Sequence, residues 1–175
     1  VSYSRNLIAH ALELLSIEHL GSEAREMKVA CERRAVSAAY YALFHHIIGT
    51  AASLIAPNVP TETNHRIRRW FDHAEMKKIG GRFLQTKLDQ PLLGLVGPSA
   101  SPELQLVVGT FIKLQDARHN ADYDLSYRLA SADARQLILL AVGAMDAWDR
   151  IANSAEANIF ILSLLLWKNW EKERI

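Results

Sequence analysis

All five prolines, at positions 57, 60, 91, 98 and 102, fall in the middle of the 175-residue chain. Proline lacks an amide hydrogen and its ring collides with the preceding turn, so it interrupts helices. The two flanks are therefore free to run as long helices, and the spacing of their apolar residues says that they do. Leu7, Ala11, Leu14 and Leu15 mark a first amphipathic helix ending near Gly21. Ser22 is placed to cap a second, with Glu23 and Glu26 suiting its positive end. That second helix reaches about Ile55, which is roughly 50 Å at the usual rise per residue.

In the middle, Asn64 to Lys78 predicts a third, more polar helix closed by Gly80-Gly81. Leu88 to Pro102 reads as a connector rich in Gly, Pro and Ser. A fourth helix starts near Pro102, a residue suited to a first turn, and runs through Leu106, Phe111 and Leu114 to about Tyr123. Ser131 caps a fifth, with Leu137, Leu140, Ala144, Trp148 and Ile151 on its apolar side. No alternating, strand-like segment competes. The expected fold is all-α: an up-and-down antiparallel bundle of about five helices over residues 1–151, with 152–175 as a C-terminal helical extension. Because 152–157 lacks breakers, the fifth helix is expected to continue as one long C-terminal helix. The run IFILSLLLW at 159–167 is apolar on every side and must be covered, by its own core or by a second subunit.

Half of the residues are hydrophobic, enough to bury a real core, and the net charge of +1 excludes a global field that would draw nucleic acid or membrane. Any such contact must come from a local patch. Cys31 is the sole cysteine, which rules out an internal disulfide and fits a reducing compartment. Arg5, Glu13 and Glu18 break up the first twenty residues and argue against a secretory leader. The best membrane candidate, Ile159 to Trp167, has about half the length needed to span a bilayer. The expectation is a soluble cytoplasmic protein without membrane contact.

The segment RRAVSAAYYALFHHI at 33–47 carries the first functional signal. Arg33, Ser37, Tyr41 and His45 recur every four residues, a polar stripe on an otherwise apolar helix. Ala35, Ala38, Ala39 and Ala42 let a neighbour approach closely, Tyr40 and Phe44 are assigned to the core, and His46 to a spectator role. Arg118 and Asp122 lie four apart on the fourth helix. They form either a simple ion pair, worth roughly 0.2–0.5 kcal/mol, or a guanidinium held by its carboxylate for a phosphate. The stripe is expected to face the Arg118 helix as an internal polar seam bordering a cleft. His65, Arg66, Arg68 and Arg69 beside Trp70, then Lys77, Lys78 and Arg82, form the one basic concentration. Cations next to an aromatic suit phosphate contacts and base stacking, although Asp72 and Glu75 dilute this run. No ligand spacing for a metal, no phosphate-binding glycine loop and no Ser-His-Asp pattern is present, so no metal or cofactor is expected.

Three motifs stand in order: Arg34-Ala35 with Ala39-Tyr40-Tyr41-Ala42-Leu43-Phe44-His45, then His65 with Trp70-Phe71, then Arg118-His119-Asn120-Ala121-Asp122-Tyr123. Together, over roughly residues 5 to 150, they resemble the HEPN superfamily, specifically its small bacterial and archaeal group with an Arg-x-x-Ala-Asp-Tyr motif. The resemblance implies a helical bundle, commonly a homodimer, acting on RNA or nucleotides. It also implies a toxin–antitoxin or defence setting beside a nucleotidyltransferase-type partner. The expected cleft residues are Arg118, Asp122, Tyr123, Tyr41, His45, Arg34 and His65. Active ribonucleases of the superfamily carry a His shortly after the Arg, whereas the permitted positions here hold Tyr123, Asp124 and Leu125. Tyr and a surface Asp exchange protons poorly near neutral pH. The expectation is thus a binding module. The alternatives are a divergent metal-independent ribonuclease using His45 or His65, and a dimerising scaffold built on the apolar C-terminal helix.

Overall fold

A computed structural model of the chain describes residues 2–17 and 24–172. Among the described residues all regular structure is helical: α1 (Tyr3–Ser16), α2 (Ala24–Ile55), α3 (Thr61–Arg68), α4 (His73–Phe83), α5 (Leu92–Leu95), α6 (Pro102–Tyr123), α7 (Ser131–Ile151) and α8 (Ala155–Lys172). The helical bundle matches expectation, but with eight helices rather than about five. Helix α1 already ends at Ser16, and Ile17 is extended. Gly21, Ser22 and Glu23, expected to end one helix and cap the next, lie outside the described residues.

Two of the additional helices come from the proline-bearing middle and one from a break after Ile151. The single helix expected over 64–78 is two, because tight turns carry the chain from Arg66 through Trp70 and Asp72 then starts α4. The Asp72 carboxylate accepts from the amides of Ala74 and Glu75 at 2.8 and 3.0 Å, a capping contribution of about 1 kcal/mol. Gly80-Gly81 does not close a helix; both residues lie inside α4. At Gly80 an added Cβ would sit 2.7 Å from Cγ1 of Val108, so the missing side chain lets α4 approach α6. The 88–102 connector holds α5 and is pinned by the Leu88 amide donating to the Pro98 carbonyl at 2.9 Å. Its Leu88, Leu92 and Ala100 are buried, so it furnishes core rather than a loose link.

Helix α6 starts at Pro102 as expected, with the Ser101 hydroxyl accepting from the Leu104 amide and both Ser101 donors bound to the Glu156 carboxylate. The long C-terminal helix is interrupted: α7 stops at Ile151, the Ser154 amide closes a turn onto Ile151, and the Ser154 hydroxyl caps the amide of Ala157. A serine side chain that can bond the backbone locally favours such a restart over an uninterrupted helix.

The chain forms two compact units, Val1–His46 with Lys113–Met145 and Ile47–Ile112 with Asp146–Ile175; α2, α6 and α7 contribute to both. In the first unit, Ala35, Ala39, Tyr40, Leu43 and Phe44 of α2 are buried together with Leu114, Ala117 and Ala121 of α6 and Ile138 and Ala141 of α7. The core assignments of Tyr40 and Phe44 therefore hold. In the second unit Phe160 of α8 meets Phe83 of α4 and Trp148 of α7 at ring distances of 5.2 and 6.1 Å, and Arg82 lies 4.4 Å over the Trp167 ring. The apolar helix is thus covered largely by its own unit, leaving Leu162 and Leu166 partly exposed. Ile159–Trp167 is not the most membrane-like segment. Helix residues Arg25–Ile55 are long and apolar enough to cross a bilayer by length and composition, although 56% of that apolar window is buried, a pattern a core helix gives equally.

Gly80 and Gly81 provide a paired test. Gly80→Ala is expected to destabilise the protein by about 1–3 kcal/mol through overpacking against Val108. Gly81→Ala meets nothing within 4 Å and is expected to stabilise it by about 0.5–1 kcal/mol. Urea unfolding of the two variants measures both shifts, and equal midpoints would refute the close-approach account.

Candidate functional site

The site lies in the first unit, where the polar stripe of α2 meets the last turns of α6. Alanines at 35, 39 and 42 make α2 a smooth surface, and the four-residue period keeps Arg33, Ser37, Tyr41 and His45 on one inclined row. Each member finds its own partner. Arg33 Nη1 donates to the Ala121 carbonyl at 2.8 Å, and its Nη2 donates to the carbonyls of Asp124, Leu125 and Tyr127 at 3.1, 3.4 and 2.9 Å. One guanidinium therefore serves the Ala121 carbonyl in the last turn of α6 and three carbonyls just beyond the helix, where a cation also complements the helix dipole. Ser37 Oγ donates to Asp122 Oδ1 at 2.8 Å, and Arg118 Nη2 donates to the Tyr41 hydroxyl at 3.2 Å. The His45 ring stacks on Tyr41, with centroids 6.3 Å apart, and takes the Tyr3 ring on its edge at 5.2 Å. Its neighbour His46 is no spectator, since Nδ1 lies 3.2 Å from the Ser4 hydroxyl and ties α1 to α2.

Arg118 is the centre of the network. Its Nε sits 2.7 Å from Asp122 Oδ2, a charge contact made without an aligned N–H···O bond. With side chains 25% and 17% exposed, this pair is partly shielded and is more than a surface i, i+4 bridge. The guanidinium lies 5.7 Å from the Tyr41 ring centre and 5.6 Å from that of Tyr123. Burial alone would lower the pKa of Arg118, but Tyr41, Asp122 and Tyr123 outweigh it and hold it above its ordinary value. The positive charge is therefore permanent at any physiological pH. After α6, Asp124 accepts from the amide and hydroxyl of Ser126 at 2.8 and 2.6 Å, and these bonds hold its carboxyl below the usual carboxylate range.

Beside this network opens a cleft of about 520 Å³, lined by Arg33, Arg34, Arg118, Asp122 and Tyr123 over a floor of Ala30 and Ala121. Three guanidinium groups face one carboxylate. Arg34 is exposed at the rim, while Tyr123, 66% exposed, offers a ring to solvent. Of the expected cleft residues, the structure brings together Arg34, Arg118, Asp122 and Tyr123 as its lining, with Tyr41 bonded to Arg118 and His45 stacked on Tyr41. His65 is exposed on α3 in the second unit and is not part of the lining. Arg33 as a carbonyl clamp was not foreseen. Its membership of the stripe was the available signal, but its acceptors are backbone atoms, which a sequence does not display.

The basic concentration is divided among different tasks. Arg66 pairs with Glu62 at 2.7 Å on an exposed surface. Arg68 Nε donates to Asn64 Oδ1 at 2.7 Å, and its guanidinium lies against Gly49, within about 3.5 Å of where a Cβ would stand. Lys77 is half-buried, whereas Arg69 and Lys78 are exposed. Among the described residues no cluster of His, Cys, Asp and Glu could hold a metal ion. The chain matches no protein-family model, no curated protein and no solved structure.

The carbonyl clamp is expected to matter for stability. Arg33→Ala leaves four backbone acceptors without their cation and is expected to cost about 2–3 kcal/mol in urea unfolding. Arg33→Lys, lacking the planar fork, should recover only part of this. Arg34→Ala should stay within about 0.5 kcal/mol of the parent. An Arg33→Ala protein as stable as Arg34→Ala would disprove the clamp.

Proposed function

We propose that this chain is a HEPN-like module that binds nucleotide or RNA phosphate in the Arg33/Arg34/Arg118 cleft, beside a nucleotidyltransferase-type partner in a toxin–antitoxin or defence setting. One observation carries the reading: an open cleft in which Arg34 and Arg118 stand against one carboxylate, beside an Arg33 held by backbone carbonyls and with an exposed tyrosine ring at its edge. Guanidinium forks match phosphate oxygens in shape and charge. A volume of about 520 Å³ falls in the ~300–1,000 Å³ range of small-ligand sites, room for a mononucleotide or one end of a strand.

The arrangement also supplies preorganisation, which lowers the cost of binding. Ser37 and Arg118 hold Asp122 from two sides, Tyr41 holds Arg118 from behind, and Arg33 fixes the chain that forms the cleft floor. A ligand phosphate would meet side chains already in place. The HEPN resemblance fits this picture, because its two best-marked motifs, around Tyr41 and Arg118, are the segments that meet at the cleft.

The test is titration of the purified protein with a nucleoside triphosphate, read by calorimetry. Arg34→Ala and Arg118→Ala are each expected to weaken binding at least tenfold, about 1.4 kcal/mol. Affinity should fall as salt is raised. Absence of binding at millimolar nucleotide, or equal affinity in both variants and the parent, would overturn the proposal. Cleavage of RNA that disappears in Arg118→Ala would instead assign the cleft to a ribonuclease.

A further inference from the structure

We infer that the outer face of α3, ending in Trp70, is a second and separate contact surface, which takes one unpaired stretch of single-stranded nucleic acid. The inference does not rest on the cleft. Trp70 is 62% exposed, whereas Trp148 and Trp167 are buried and Trp170 is half-buried. An indole held in water presents a large flat apolar face that folding has left uncovered.

The burial pattern defines the surface. Glu62, His65, Arg66, Arg69 and Trp70 are all exposed, while Ile67 and Phe71 are 4% and 6% exposed and anchor the opposite side. Backbone bonds from Arg69 to Arg66 and from Trp70 to Ile67 extend the helical turn beyond Arg68, so the backbone of Trp70 continues the helix that carries the cations. Arg68 is tied to Asn64 and lies against Gly49, and Arg82 covers Trp167; both are half-buried and engaged within the protein. What remains available is His65, Arg66, Arg69 and Trp70. Arg66 keeps its freedom because its pair with Glu62 is 73% and 79% exposed and correspondingly weak.

Charge and composition select the partner. On the exposed face itself Arg66 and Arg69 stand against Glu62, an excess of +1 with His65 neutral. A protein-binding face of stable type needs a cluster of apolar anchors at its centre, and this face has one ring among polar and charged side chains. A single exposed ring flanked by cations fits a base stacked on the indole, with phosphates on the arginines. Only an unpaired base offers its face, which excludes a continuous duplex.

The experiment uses the full chain, a twelve-nucleotide single-stranded RNA, and the same RNA annealed to its complement, with indole fluorescence and anisotropy as readouts. The single strand is expected to bind more tightly than the duplex and to quench a component that is lost in Trp70→Phe. Trp70→Ala should weaken binding roughly tenfold or more, with Trp70→Phe intermediate. Arg69→Ala should weaken it and reduce the salt slope by about 0.7. Arg34→Ala should leave the quench in place. Equal binding of duplex and single strand, unchanged affinity in Trp70→Ala, or no binding in 100 mM salt would each overturn the inference. Loss of RNA binding in Arg34→Ala but not in Trp70→Ala would sink this surface and leave the cleft reading standing.

Discussion

The guanidinium of Arg33 against the end of α6 is the constraint on which the first unit depends. Helix α6 must stop near Tyr123 because the chain turns there, and a stopped helix exposes carbonyls that have no intrahelical donor. Arg33, from another helix, donates to one of them at Ala121 and to the carbonyls of Asp124, Leu125 and Tyr127 just beyond, and so fixes which part of α2 lies beside the last turns of α6. The rest of the seam follows by period. Residues four and eight positions on from Arg33 are Ser37 and Tyr41, and the residues they meet, Asp122 and Arg118, are also four apart. Two matching rows, running in opposite chain directions, come into register because one end has been pinned.

This explains which parts of the structure were legible in the sequence. Helices α2, α6 and α7 were readable because each is a long apolar period with a clear start or stop, such as Pro102. The meeting of Arg118 with Tyr41 was readable because a polar row inside an apolar helix has few places to go. The middle was misread for two physical reasons. Asp72 is a cap signal in its own right, and its carboxylate also dilutes the positive charge of the run, so one residue type carries two readings. Gly80-Gly81 has the form of a terminator, yet Gly80 serves the close passage of Val108. A glycine that ends a helix and a glycine that admits a neighbour look alike in one dimension.

The arginines show the same limit. Arg33, Arg68 and Arg82 bind, respectively, backbone carbonyls, an amide oxygen and an aromatic ring of their own unit. Arg34 and Arg69 are exposed and Arg118 faces a cleft. Nothing in the local sequence separates these groups, since Arg33 and Arg34 are adjacent, as are Arg68 and Arg69. On a helix, adjacent residues point about 100° apart, and that angle alone decides which guanidinium is internal and which meets solvent.

Arg33 belongs to both the wall of the cleft and the terminus of α6. An anion that drew strongly on this side chain would take it from the carbonyls it serves, loosening the floor beneath the visitor. On the proposed reading, tight occupancy would lean on Arg34 and Arg118 and leave Arg33 undisturbed. Such a pocket would have a built-in ceiling on how much of its positive charge a guest could use.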